Sequence, residues 1–143
     1  MTRADIEALM MRRNEGWARH DAAILAADFA DDAVAESPMQ GRLVGKRRIQ
    51  EVYESWLTAF ADIEFVSDDV LIDGNRAVQF YTLAGTQTAA FGGVPATGRR
   101  FQIKGAMLAT VADGGKITYE RRIYDVTHLL VQLGALKTKP ATL

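Results

Sequence analysis

The chain has 143 residues, 48% of them hydrophobic and 24% charged, a balance that fits one globular domain with a single core. Seventeen basic and eighteen acidic residues leave a net charge of −1, so no overall field recruits nucleic acid or an anionic membrane. There is no cysteine, which excludes disulfides and thiolate chemistry, and no run approaches the ~18 apolar residues of a membrane span.

The N-terminus, MTRADIEALMMRRNEG, is charged throughout and lacks an apolar signal core, so a cytoplasmic protein is expected. Thr2 and Asp5 have the spacing of a capping box, and Ile6, Leu9, Met10 and Trp17 follow at helical spacing, with Gly16 weakening the second half of that helix. Asp21 is placed to cap a shorter helix through Ile24, Leu25 and Phe29. A short strand is predicted from Ala30 to Ser37, stopped by Pro38, and Gly41 to Gly45 reads as a loop. The clearest amphipathic stripe, Ile49, Val52, Tyr53, Trp56, Leu57 and Phe60, marks a third helix from about Lys46 to Ala61.

Four strands are predicted next. Ile63 to Ile72 alternates, but its phase slips at Ser67, Asp68 and Asp69, as at a bulge. The turn Asp73-Gly74-Asn75 leads into Arg76 to Thr88, and a Gly/Pro loop spans Phe91 to Gly98. Arg99 to Val111 places Phe101, Ile103, Met107 and Val111 on one face, which leaves Arg100, Gln102 and Lys104 to solvent. Lys116 to Tyr124 follows the Asp113-Gly114-Gly115 turn. A short helical segment, Thr127 to Leu133, stops at Gly134. Residues 1–136 form one expected domain, and 137–143 a patternless tail containing Pro140.

Helices at one end and consecutive strands at the other define an α+β protein whose strands pair as an antiparallel meander. A curved sheet wrapped around three helices encloses a cone-shaped cavity, the default ligand site. Reading back by twos from Asp125 gives Ile123, Arg121, Tyr119 and Ile117, three of them apolar or aromatic, so this face and Asp125 are expected to point inward. A carboxyl group near apolar surface has its charged form disfavoured, which suits a general base. The same residue is also placed to cap the helix that follows.

The run ATGRRFQIKGAML…DGGKITYERRIYDVTHLLVQLG resembles the SnoaL-like polyketide cyclases, a branch of the NTF2-like cone fold. The marks are Gly85-Thr86, Thr97-Gly98-Arg99, the GGKI turn, Asp125 and Gln132-Leu133-Gly134. The resemblance implies a cofactor-free enzyme that closes a ring of a polyketide ester by intramolecular aldol condensation, with an aspartate at the position of Asp125 as base. It also points to a homodimer or homotetramer. Members often add a strand histidine that stabilises the oxyanion. Here the histidines are His20 and His128, neither on a predicted strand, so another donor takes that role or the chemistry differs.

The catalytic candidates are therefore Asp125 and Arg121, whose side chain either leans toward the acid or is turned outward by a bulge. Arg122 is assigned to solvent. The substrate-binding candidates are Trp17, Phe29, Tyr53, Trp56, Gln87, Met107 and Tyr119, facing a small hydrophobic polycarbonyl substrate. No phosphate loop, zinc spacing or other metal-ligand pattern is visible. Two alternatives stay open: a non-catalytic ligand-binding dimer, and an epoxide hydrolase of the limonene epoxide hydrolase type, which lacks a convincing second inward aspartate. Phe80, Tyr81, Leu108 and Tyr124 cannot all face the cavity, so a second copy is expected over the outer sheet face.

Overall fold

The computed structural model describes residues 1–137 and 139; most of the expected tail lies outside them. Three helices precede or interrupt the first strands: α1 (Arg3–Ala18), α2 (Ala22–Ala27) and α3 (Lys46–Ala59). Six strands follow the chain as β1 (Phe29–Ser37), β2 (Gly41–Val44), β3 (Glu64–Asp73), β4 (Arg76–Thr86), β5 (Arg100–Val111) and β6 (Ile117–Tyr124), before α4 (Val126–Gln132). No described helix is long and apolar enough to cross a membrane.

Local chemistry explains most of these elements. The α1 capping box is formed, with the Asp5 amide donating to Thr2 Oγ1 at 3.2 Å and the Thr2 amide to Asp5 Oδ2 at 2.8 Å. Asp21 Oδ1 accepts from the amides of Ala23 and Ile24, opening α2. Gly16 does not weaken α1 so much as let α2 close on it: a Cβ there would lie 2.9 Å from Leu25 Cγ. In α3 the buried stripe is Ile49, Val52, Tyr53 and Trp56, with Glu51 and Glu54 exposed.

The sheet order is β2-β1-β6-β5-β4-β3. Strands β3 to β6 form the expected antiparallel meander, with the β3 bulge between Ser67 and Asp69. Two pairings were not legible in the sequence. β1 runs parallel to β6, and Gly41–Val44, read as a loop, pairs antiparallel with β1. The helices α1 to α3 fill the concave face, and Phe60, Phe101 and Leu129 are fully buried. Helix α4 is tied to β5 by Gln132, whose side chain accepts from the Gln102 amide and donates to its carbonyl at 2.8 and 3.1 Å.

The decisive feature is the phase of β6. A register shift against β5 falls between Ile117 and Tyr119. Beyond it Glu120 and Arg122 are buried, Arg121 and Ile123 are exposed, and Tyr124 is half-buried against the cavity. The inward set is thus Ile117, Glu120, Arg122 and Tyr124 rather than the odd-numbered series.

Candidate functional site

A cavity opens between the concave sheet face and the helices. Trp17 of α1 and Tyr53 and Trp56 of α3 form one wall; Ser37, Phe65, Tyr81, Leu83, Met107, Arg122 and Tyr124 from β1 and β3 to β6 form the other. It measures about 380 Å³ with its mouth, of which about 30 Å³ admits the centre of a water molecule. The walls are mostly aromatic. Trp17 and Phe65 stack with centroids 5.2 Å apart, and Phe65 stacks in turn on Tyr81 at 5.1 Å.

Behind this lining lies a buried charge cluster. Arg122 Nε donates to Glu120 Oε1 at 2.7 Å, and Arg13 Nη2 of α1 lies 2.7 Å from Glu120 Oε2. Arg13 Nη2 also donates to the Tyr53 hydroxyl at 2.7 Å. Burial opposes the charge on Glu120, but the guanidiniums of Arg13 and Arg122 outweigh it and hold the carboxyl below its ordinary range. The cluster therefore holds two cations against one anion. Arg122 is the member that reaches the cavity, with its guanidinium carbon 4.6 Å from the centroid of the Tyr53 ring. Its Nη2 is buried and has no hydrogen-bond partner among the described residues; neither has Nε1 of Trp17.

Hydroxyl groups complete the lining. The Tyr124 hydroxyl sits 3.3 Å from Ser37 Oγ, which donates to Gln40 Oε1 at 2.5 Å. Burial raises the pKa of both Tyr81 and Tyr124, so both phenols remain protonated donors at neutral pH. No Asp or Glu side chain lines this cavity, and no described group of His, Asp or Glu is placed to hold a metal ion.

The structure divides the expected site residues. Trp17, Tyr53, Trp56 and Met107 line the cavity. Phe29 is core beneath it, with the Arg13 guanidinium 5.4 Å from its ring centroid. Gln87 is buried but faces its own loop, donating to the Val94 carbonyl and accepting from Thr97 Oγ1. Tyr119 turns outward and donates to Glu36 at 2.7 Å. Arg121 is exposed, 4.0 Å from Glu36. Asp125 does not point inward: it is exposed at the N-cap of α4, where Oδ1 accepts from the His128 amide at 3.0 Å. The β6 phase slip puts the inward positions on even numbers, so the helix cap foreseen as the second role of Asp125 is the one its geometry shows. Arg122, assigned to solvent from the sequence, is in the cavity wall.

The family model for SnoaL-like polyketide cyclases matches residues 8–133. The chain belongs to the SnoaL-like polyketide cyclase family. No protein of curated function matches the sequence. Similar solved structures include TsrD of Streptomyces laurentii, at 25% identity and TM-score 0.83, covering 95% of this chain and 99% of that one. AclR of Streptomyces galilaeus, described as a candidate hydroxylase, is 24% identical with TM-score 0.83 over 97% and 91% of the two chains. A candidate SnoaL-like cyclase from Jannaschia sp. CCS1 is 18% identical with TM-score 0.82 over 93% of each. These likenesses support the NTF2-like cone architecture.

Within this member of the SnoaL-like family, Arg13, Ser37, Tyr81, Glu120, Arg122 and Tyr124 were missed as site residues. One signal was available. Position 13 continues the stripe Ile6, Leu9, Met10 toward Trp17, so an arginine there sits on the buried face of α1 and requires a buried counter-charge.

Proposed function

We propose that this protein is a cyclase-type catalyst of enolate chemistry on a small, hydrophobic, polycarbonyl ligand, with Arg122 as the electrophile. The observation that carries the reading is Arg122 itself, which lines an aromatic cavity that no Asp or Glu side chain lines and whose enclosed Nη2 has no hydrogen-bond partner among the described residues. A fixed cation in a poorly hydrated site favours an oxyanion over a neutral carbonyl. Glu120 holds Arg122 in place and is itself paired with Arg13, which leaves the cluster with one surplus positive charge.

The step follows from that charge. A carbon between two carbonyls loses its proton to water entering with the ligand, and the resulting enolate oxygen lies against Arg122. The enolate carbon adds to a second carbonyl of the same chain, forming the carbon–carbon bond. The new alkoxide takes a proton back from water, so the ring closes without net change in composition. Arg122 thus fills the role that a strand histidine has in members the chain resembles.

Hydrogen–deuterium exchange on 1-phenylbutane-1,3-dione tests this reading. The wild-type protein should accelerate exchange at the carbon between the carbonyls, Arg122→Gln should lose most of that rate, and Arg122→Lys should keep part of it. Wild-type exchange no faster than in buffer alone refutes it.

The active form in this proposal is a homodimer. Register places Phe80, Ala106 and Ile123 side by side across the outer face of β4, β5 and β6. Phe80 and Ile123 are exposed there, as are Val66 and Leu71 on β3. Such an apolar face fits a second copy of the same sheet.

A further inference from the structure

We propose that Tyr81 is a second oxyanion-binding residue of this cavity, donating its hydroxyl hydrogen to the same class of ligand that Arg122 holds: a planar enolate or phenolate. The inference rests on the enolate reading and extends it to a residue on another strand. Tyr81 is 95% buried by its 5% exposure, lines the cavity, and makes no hydrogen bond through its hydroxyl among the described residues. The hydroxyl is not among the enclosed polar atoms left without a partner, so it meets the open space of the cavity, where a ligand oxygen can accept from it.

Its position is fixed from two sides. The ring stacks on Phe65, which stacks on Trp17. The hydroxyl lies over Gly105, directly across the β4–β5 ladder, where an added Cβ would collide with it and come within 2.9 Å of the Ile123 carbonyl. Glycine at 105 therefore leaves the space that this phenol occupies. Gly105 also pairs with Tyr124, so Tyr81 reaches across the floor of the cavity toward the β6 side, where Arg122 stands. The groups acting on Tyr81 are Arg122, which favours its ionised form, and Tyr124, Glu120 and Tyr53, which oppose it; burial dominates, and the phenol stays a donor.

Hydrogen bonds to a charged acceptor are about twice as strong as those to a neutral one, so Tyr81 discriminates between ionised and neutral ligands. The probe is 4-nitrophenol, whose phenolate absorbs separately from the phenol, with 4-nitrotoluene as its neutral isostere. Bound to wild-type protein, 4-nitrophenol should ionise at lower pH than it does free. Tyr81→Phe should weaken phenolate binding about tenfold while leaving 4-nitrotoluene binding unchanged. Equal loss for both ligands in Tyr81→Phe would mean a packing role and overturns the inference. Ionisation that survives Tyr81→Phe but disappears in Arg122→Gln overturns it while leaving Arg122 intact. Absence of bound phenolate in the wild type overturns both.

Discussion

Glu120 and Arg122 lie two residues apart on one face of β6, with Arg122 Nε donating to Glu120 Oε1 at 2.7 Å. A strand repeats its facing every two residues, so the pair shares the inner face and needs no turn or loop to meet. Arg13 then arrives from α1 on the other carboxylate oxygen. Helix and sheet are thus joined through one buried acid, and the same acid fixes the guanidinium that reaches the cavity.

Removing that acid leaves two guanidiniums buried without compensation. Glu120→Gln should cost about 3–5 kcal/mol of folding stability, the range found when one partner of a buried ion pair is deleted. Denaturant unfolding measures it. A loss below about 1 kcal/mol would show that Arg13 and Arg122 find water or other acceptors in the folded protein.

The same pair sets an acid limit. Glu120 titrates below its ordinary value of 4.5 in the folded protein, so the unfolded chain binds more protons as pH falls through that region. Its contribution is complete above the ordinary carboxylate value and is lost as pH drops through the lowered one. Unfolding free energy should therefore be flat in this contribution from pH 7 to 5 and fall below about pH 4.5, with a shallower fall in Glu120→Gln. Asp5 and Asp62, lowered by their hydrogen bonds with Thr2 and Thr86, keep a residual slope of the same sign.

Asp125 separates a cap from a base. As the N-cap of α4, it should tolerate Asn with little change and lose about 1 kcal/mol on substitution by Ala, read from thermal or denaturant unfolding. Neither substitution should change the diketone exchange rate. Loss of exchange in a folded Asp125→Asn protein would instead restore the base role expected from its place at the end of β6.

The pattern of what was legible follows from periodicity. Thr2, Asp21 and the α3 stripe carry local signals, and those helices lie where the sequence places them within two residues. The meander was readable because Asp73-Gly74-Asn75 and Asp113-Gly114-Gly115 punctuate it. The parallel β1–β6 pair was not, since nothing local joins residues about 85 apart, as in Glu36 opposite Arg121. The site failed for a subtler reason. Ile123 and Tyr119 are apolar on the outer face of β6, while Glu120 and Arg122 are charged on the inner one, so hydrophobic phase pointed the wrong way. Strand patterning assumes that charges face water. A mutually neutralising pair breaks that assumption, and such breaks concentrate at functional sites.

That inverted phase also exposes Ile123, which leads to the last expectation. Ile123 and Phe80 flank Ala106 on the outer face, and their exposure of 58% and 41% is high for large apolar side chains in the middle of a sheet. If a second copy covers them, Ile123→Glu places a charge in a desolvated contact and should dissociate the assembly while leaving the cavity on the opposite face untouched. Light scattering at micromolar concentration should report a dimer for the wild type and a monomer for Ile123→Glu, with the circular dichroism spectrum preserved. A wild-type monomer at that concentration would refute the sheet-to-sheet dimer, and a dimeric Ile123→Glu would move the interface to another face.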